Sequence, residues 1–437
     1  MGRKKSYIPL DVYIGQRIVG QLGRDSGGAY SFQYSPEWLS WEMRFPISLS
    51  LPVRADRYTG QTVINVFENL LPDHDGIRRR VATKVGATGT DAFSMLSKIG
   101  RDCVGAMQFL PEGSSFEPSG KIEGRELSVA EIEKILNNLG IAPLGLGEND
   151  AFRISIAGAQ EKTALLYHDG KWLEPHGPTP TTHIIKPQIG KLDNGIDLSD
   201  SVENEHFCLK LLSEFGLPTA KTEITQFGEK KALIIERFDR HRAKDRRLIR
   251  LPQEDLCQAL SVPPTLKYQD SGGPGIVDIA KRLNNSDTPE EDRLTFFKAN
   301  ILFWLMGATD GHAKNFSIFI GPGGTFRLTP LYDVLTIQPS FDKNHIDRKQ
   351  MRMSMSVGRR RRYRAFDISG KDFVFTGQKA GFSEKQIKNI IEAIEHEWQP
   401  AFYRACADLN KDFPDHLLDS LSNAFKMRIP QLRTPVR

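Results

Sequence analysis

The sequence predicts an α+β protein of two lobes, with a mixed α/β N-terminal part and an all-helical C-lobe. Three features carry that expectation. Short strand and helix signals alternate over residues 1–147, an ordered strand, turn, strand, helix, strand series runs from 152 to 235, and helical apolar spacing dominates after Glu236. In the first stretch, residues 12–19 read as a strand, and residues 63–71 and 129–139 as helices. The run Pro143-Leu144-Gly145-Leu146-Gly147 reads as a linker, which puts a boundary near 147. Beyond it, residues 152–156, 163–167 and 183–186 read as strands, 207–215 as an apolar helix, and 232–235 as a buried strand. Helices are then expected over 277–283, 294–306, 384–394, 400–409 and 417–425. The expected segments are therefore 1–147, 148–237 and 238–437, without internal repeats.

With 437 residues the chain is long enough for two or three domains. Hydrophobic content of 39% and charged content of 26% are those of an ordinary globular protein. The surplus of 59 Lys and Arg over 54 Asp and Glu gives +5, too little to imply nucleic-acid binding by itself. Basic residues do cluster at Arg359–Arg362 with Arg364, and again between Arg240 and Arg250. Cys103, Cys208, Cys257 and Cys406 lie far apart, so reduced thiols are expected and a zinc site is not. No apolar run reaches signal-peptide or membrane-span form, and a cytoplasmic protein is the expectation. The start Met1-Gly2-Arg3-Lys4-Lys5-Ser6 fits only the loose myristoylation pattern.

The chemistry-bearing run is Ala308-Thr309-Asp310-Gly311-His312-Ala313-Lys314-Asn315, followed by Tyr332-Asp333-Val334. Kinases of the protein-kinase type need a carboxylate beside the incoming hydroxyl, an Asn five positions on to hold a metal, and a second metal-binding Asp further along. All three residue types stand here at that spacing. The apolar residues 296–306 read as a buried helix ending at Gly307, which would present Asp310 on a loop at a helix end. A hairpin over 317–320 and 325–328, turning through Gly321-Pro322-Gly323-Gly324, would then return Asp333 toward Asn315. A bare DxxxxN is weak evidence; the hairpin-linked trio is what points to phosphoryl transfer. His312, between Asp310 and Asn315, is expected to face the terminal phosphate.

Such a reaction needs a cation on the phosphates. Lys186 ends the strand Thr182-His183-Ile184-Ile185-Lys186, and alternation points it away from the Ile185 side. Ser155-Ile156-Ala157-Gly158-Ala159-Gln160-Glu161-Lys162 joins two expected strands with small residues that allow backbone N–H groups to approach phosphate oxygens. Its single Gly matches neither a GxGxxG nor a Walker pattern. Glu203 or Glu205, before the apolar helix, would pair with the Lys; both also suit a helix N-terminus. Residues 232–235 running into Glu236-Arg237-Phe238 read as a strand entering an interlobe hinge, where the backbone of Glu236 and Phe238 would bond an adenine edge.

The runs Phe152–Thr163, Thr181–Lys186, Glu236–Arg240, Leu251–Asp255 and Gly307–Asn315 are similar to those of the HipA family of bacterial toxin kinases, from the N-terminal strands into the C-lobe. The resemblance implies a two-lobed protein-kinase-like fold and a serine/threonine kinase using ATP and Mg2+. It implies a toxin paired with a HipB-like antitoxin that binds operator DNA, with glutamyl-tRNA synthetase as the expected protein substrate. Carried over by position, Asp310 would be the catalytic base, with His312 and Asn315 beside it, and Asn315 and Asp333 the metal ligands. Ser155, Ile156, Ala157, Gly158, Ala159, Gln160, Lys162, Lys186, Glu236, Arg237, Phe238, Asp239 and Gln253 would bind ATP. Ser155 would also be the autophosphorylated loop serine whose modification switches the kinase off. Residues 347–364, rich in Met and Arg, match no family motif. Two rivals remain: a small-molecule kinase of the aminoglycoside or choline type, and a catalytically idle co-repressor scaffold.

Overall fold

The structure, a computed structural model, describes residues 7–114, 122–146, 154–158, 160–192 and 195–433. It divides into two compact units that interleave along the chain rather than following it in order. The first comprises Met1–Pro187, Thr225–Thr265 and Ser317–Phe326; the second comprises Gln188–Ile224, Leu266–Phe316 and Arg327–Arg437.

The first unit opens with a five-stranded antiparallel sheet in the order Tyr58–Thr59, Tyr30–Tyr34, Arg17–Arg24, Leu10–Ile14, Met107–Pro111. The single strand expected over 12–19 is a hairpin instead. Gly15 takes φ +60°, a left-handed conformation that ends the strand at Ile14 and restarts it at Arg17. Helices Gln61–Glu68, Asp75–Val85 and Ala92–Ile99 join the sheet in one core, with Val66, Phe67, Val81 and Leu96 buried together with Val12, Leu22, Phe32 and Phe109. Each of the last two helices starts on a side-chain cap, His74 on the N–H of Gly76 and Asp91 on the N–H of Ser94.

A second sheet of this unit has the order Thr222–Phe227, Lys230–Glu236, His183–Pro187, Thr163–His168, Lys171–Pro175, Gly124–Glu126. Helix Val129–Asn137 begins at a Ser128/Glu131 capping box and buries Ile132 and Leu136 in one cluster with Leu165, Ile185 and Ile234. The strand expected over 152–156 does not form among its described residues: Phe152 and Arg153 lie outside them, and Ile154 makes only an isolated bridge to Asp102.

The second unit is dominated by helices Ser201–Glu214, Ile276–Leu283, Pro289–Met306, Gly370–Lys379, Glu384–Ala407 and Asp415–Leu432. Pro289–Met306 is its axis. Phe296, Phe297, Ile301, Leu302, Trp304 and Leu305 are all fully buried, so the second half of the helix is enclosed, as a central helix must be. Two helices expected over 384–394 and 400–409 are one, Glu384–Ala407, which continues through Pro400. Residues 238–437 are mainly helical but also carry short strands. Gln253–Asp255 pairs with Ser317–Ile320, Arg240–Arg242 with Leu248–Arg250, and Arg352–Val357 with Arg362–Arg364. Ser317–Ile320 is the expected hairpin strand, lying between Gln253–Asp255 and Phe326–Leu328; the three-residue segments carry too few residues for alternation to register. Among the described residues, no helix is long and apolar enough to cross a membrane.

Candidate active site

In the second unit the candidate catalytic loop is set by how the axial helix ends. Gly307 adopts φ +73° and its N–H returns to the Phe303 and Trp304 carbonyls, a left-handed C-cap that Gly accepts without steric penalty. Two carbonyls of the last turn take side-chain donors: Thr336 Oγ1 on Met306 at 2.6 Å and the fully buried Arg428 on Leu305 at 2.9 Å. Burial brings the Arg428 guanidinium down to about 10, yet at neutral pH it remains a cation at the negative end of the helix dipole. The loop therefore leaves a fixed helix end.

Asp310 emerges from it with its side chain 64% exposed. The Tyr268 hydroxyl donates to Asp310 Oδ1 at 2.8 Å, leaving Oδ2 turned to the His312 side at 3.9 Å from Nε2. His312 itself is buried, its ring edge-on to Tyr268 with centroids 5.0 Å apart. Its Nε2 nevertheless lies on the Asp310 side of the loop.

Asn315 is buried on a single 3-10 turn, Ala313–Asn315. Its Nδ2 donates to the Asp310 carbonyl at 2.8 Å and, more weakly, to the Asp333 carbonyl at 3.4 Å. With the amide nitrogen so committed, Oδ1 is the atom left to face a ligand. The Tyr332 hydroxyl donates to the Lys314 carbonyl at 2.7 Å, a second tie between the two segments. Asp333 has φ +58°, a left-handed conformation unusual for any residue but Gly and most tolerated by Asn and Asp. Asp310, Asn315 and Asp333 are thus brought together. Asn315 Oδ1 and the Asp333 carboxylate are two hard oxygen donors, a set that fits Mg2+, which keeps several waters and takes its other ligands from substrate phosphates. Among the described residues no cluster of three or more His, Cys, Asp or Glu suits a metal, so a dedicated all-protein cage is absent there.

The remaining expected residues, Glu203 and Glu205 apart, belong to the first unit. Ser155 is fully buried: its N–H bonds the Asp102 carbonyl at 3.0 Å and its hydroxyl donates to the Leu70 carbonyl at 2.8 Å. Ile156 is buried and Ala157 partly so; Ala159 lies outside the described residues. Gly158 takes φ +113° and bridges Pro72, its carbonyl accepting the Asp73 N–H at 3.1 Å. Lys162 Nζ donates to the Ala157 carbonyl at 2.6 Å, and Gln160 Nε2 to the Pro187 carbonyl at 3.1 Å. The segment therefore packs along residues 70–73 rather than forming a plain hairpin turn. Lys186 is buried on the strand face opposite Ile185. Glu203 and Glu205, in the second unit, are buried in the first turns of helix Ser201–Glu214, where Glu203 accepts from Gln188 Nε2 at 2.7 Å.

Arg237 and Asp239 turn their side chains inward. Arg237 bridges Asp239 and Asp102, and Arg240 and Arg250 close the cluster on the same carboxylates. Burial alone would push Asp102 up, but Arg240, Arg250 and Arg237 outweigh it and hold the carboxyl well below the usual range. Glu236 is exposed at the end of its strand opposite His183, and Phe238 stacks edge-on to Phe319. Gln253 is buried in the strand paired with Ser317–Ile320. The four cysteines form no disulfide; burial pushes Cys103 and Cys208 up to about 12, which leaves both protonated at neutral pH.

Sequence reasoning missed Tyr268, Thr336 and Arg428. Tyr268 stands 42 residues before Asp310, and nothing in its neighbourhood marks it.

The α+β fold and the Asp310, Asn315 and Asp333 arrangement define a protein of the kinase-like class. Residues 154–402 match the HipA-like C-terminal domain and residues 10–110 the HipA N-terminal domain. The chain belongs to the HipA family. It is 33% identical over 427 residues, 96% of this chain and 98% of the relative, to Y4mE of Sinorhizobium fredii, whose name offers it as a candidate kinase. It is 27% identical over 347 residues, 76% of this chain and 75% of the relative, to the Shewanella oneidensis serine/threonine-protein kinase toxin HipA. Among solved structures it resembles a chain of the Shewanella oneidensis HipA, HipB and operator DNA complex, with a TM-score of 0.79 at 21% identity, covering 98% of this chain and all of that one.

Proposed function

We propose that the protein is an ATP- and Mg2+-dependent serine/threonine-protein kinase and the toxin of a toxin–antitoxin pair. The observation that carries this reading is the joining of Asp310, Asn315 and Asp333 through the Asn315 amide, on a loop anchored to a capped buried helix. Family membership and the name of the Shewanella relative support it. Asp310 Oδ2 accepts the proton of the acceptor hydroxyl, while Asn315 and Asp333 hold the metal. Mg2+, when bound with ATP, neutralises charge on the transferred phosphoryl group. Lys186 binds phosphate oxygens, residues 155–162 and Gln253 line the nucleotide, and the backbone at Glu236 and Phe238 holds adenine; Arg237 and Asp239 contribute by rigidity, through their cluster with Asp102. Ser155 is an autophosphorylation site that switches the enzyme off. A HipB-like antitoxin carries the protein to operator DNA for co-repression, since +5 on 437 residues neutralises few phosphates alone. Glutamyl-tRNA synthetase is the proposed substrate, and the cytoplasm the proposed location.

The test is phosphopeptide mass spectrometry after incubating the protein with ATP, Mg2+ and cell lysate, beside Asp310→Asn. The variant keeps shape and loses proton acceptance, so transfer is expected to fall roughly 10²–10⁴-fold. Parental turnover in Asp310→Asn removes that residue from the role. Label on a synthetase serine identifies the substrate, and label elsewhere replaces it.

A further inference from the structure

Beside Asp310 lies an open pocket of about 270 Å3 whose walls include Tyr268, Asp270, Thr309, Arg352 and Ser354, all in the second unit. Its far wall is the start of strand Arg352–Val357. Ser354 is tied to the catalytic loop twice, its N–H and hydroxyl both donating to the Thr309 carbonyl, at 3.0 and 2.8 Å. Ser356 is held to the Tyr268 segment, its N–H donating to Gln269 Oε1 at 2.6 Å, and Arg352 reaches Asp270 at 3.2 Å. The strand is therefore a rigid extension of the loop that carries the proposed base.

That strand and its partner form a hairpin, residues 352–364, with six arginines and no carboxylate. Arg352 and Arg364 face each other at the pocket end of the ladder. Arg359, Arg360 and Arg361 stand exposed at the turn, while Arg362 is partly buried against Asp372 and the Asp367 carbonyl. From Ser354 to the strand's end at Val357 the chain rises about 10 Å at roughly 3.3 Å per residue, and an extended polypeptide laid beside it advances equally. The pocket is open to solvent beside the exposed Asp310, and it suits a side chain presented by a longer chain.

We infer that the pocket and the basic hairpin form the acceptor-binding surface: a polypeptide places its serine or threonine hydroxyl at Asp310 and lays carboxylates, about four or more residues away, on Arg359, Arg360 and Arg361. This rests on the proposed kinase activity and adds the substrate's flanking chemistry. Operator DNA is the less favoured occupant, because the hairpin is fixed to the loop that carries Asp310.

The experiment uses the full chain, ATP, Mg2+ and a library of serine peptides with Asp, Lys or Ala placed three to six residues from the hydroxyl. The parent is expected to prefer the Asp peptides. The triple variant Arg359→Glu, Arg360→Glu, Arg361→Glu is expected to raise KM for them roughly tenfold, with kcat and ATP affinity unchanged and Lys peptides now preferred. Equal use of Asp, Lys and Ala peptides by the parent overturns the inference and leaves the kinase reading standing. So does a triple variant that loses antitoxin-dependent operator binding but keeps its peptide KM, which would give the hairpin to DNA. A parent that phosphorylates nothing under any condition takes down both.

Discussion

At Asp333 a single side chain is held in a backbone conformation that most residues avoid, with φ at +58°. Strain of this kind costs of order 1 kcal/mol and persists at sites where the side chain is needed. Asp333→Gly relieves it but adds freedom to the unfolded chain, so the two effects oppose each other. The expected result is thermal stability within about 1 kcal/mol of the parent, with loss of Mg2+-dependent ATP binding by calorimetry. Asp333→Val, branched at Cβ, should instead lose roughly 1–3 kcal/mol. Parental ATP affinity in the Gly variant at saturating Mg2+ would remove Asp333 from the metal site. Asp310, Asn315 and Asp333 were legible in the sequence because their spacing is itself the signal. Tyr268 and Arg352 were not, because folding alone brings them to the pocket.

The segment from Ile154 to Lys162 behaves as one element, pinned along residues 70–73 by Ser155 and Gly158. A phosphoryl group on Ser155 Oγ would replace a buried donor to the Leu70 carbonyl with about −1.5 to −2 charge at pH 7, shut away from water. Phosphorylation therefore requires the segment to leave, and the modified segment cannot return. Intact-mass spectrometry after ATP and Mg2+ should show one added phosphate in the parent and none in Ser155→Ala or Asp310→Asn. Equal modification of Ser155→Ala would rule the switch out. The sequence suggested a phosphate loop from small residues alone; that its serine is fully enclosed depends on residues 70 and 102, far away in the chain.

For the molecule as a whole, the buried cluster of Asp102, Asp239, Arg237, Arg240 and Arg250 ties together the 102–105 turn, the Thr181 strand entry and the 237–250 segment of the first unit. Asp102 and Asp239 both have carboxyls held below their ordinary values, against burial, by these arginines. A depressed carboxylate contributes stability that is present above its unfolded value, about pH 4, and is lost as pH falls toward the folded one. Thermal melts should therefore show stability falling steeply below about pH 4. Asp102→Asn should flatten that acid limb and cost roughly 3–5 kcal/mol at pH 7, because it takes Arg250's ion partner away and leaves Asp239 alone to balance the buried Arg237 and Arg240. An unchanged acid limb in the variant would assign the pH dependence to other carboxylates.

The sequence by itself determined the α+β class, the central buried helix, and the gathering of Asp310, Asn315 and Asp333, because each is written in local spacing: a dense apolar run over 296–306, and Asp, Asn and Asp at fixed intervals. Only the tertiary structure decided what surrounds them. Arg237 and Asp239 sit in a chain segment that reads like a nucleotide hinge, yet Asp102, more than 130 residues earlier, draws Arg237 into a buried ion cluster. His312 reads as a loop histidine, yet it is buried with Tyr268, 44 residues earlier, packed edge-on against its ring. The reason is physical in each case: a charged or aromatic side chain goes where its partner lies, and a partner distant in sequence leaves no periodicity to read.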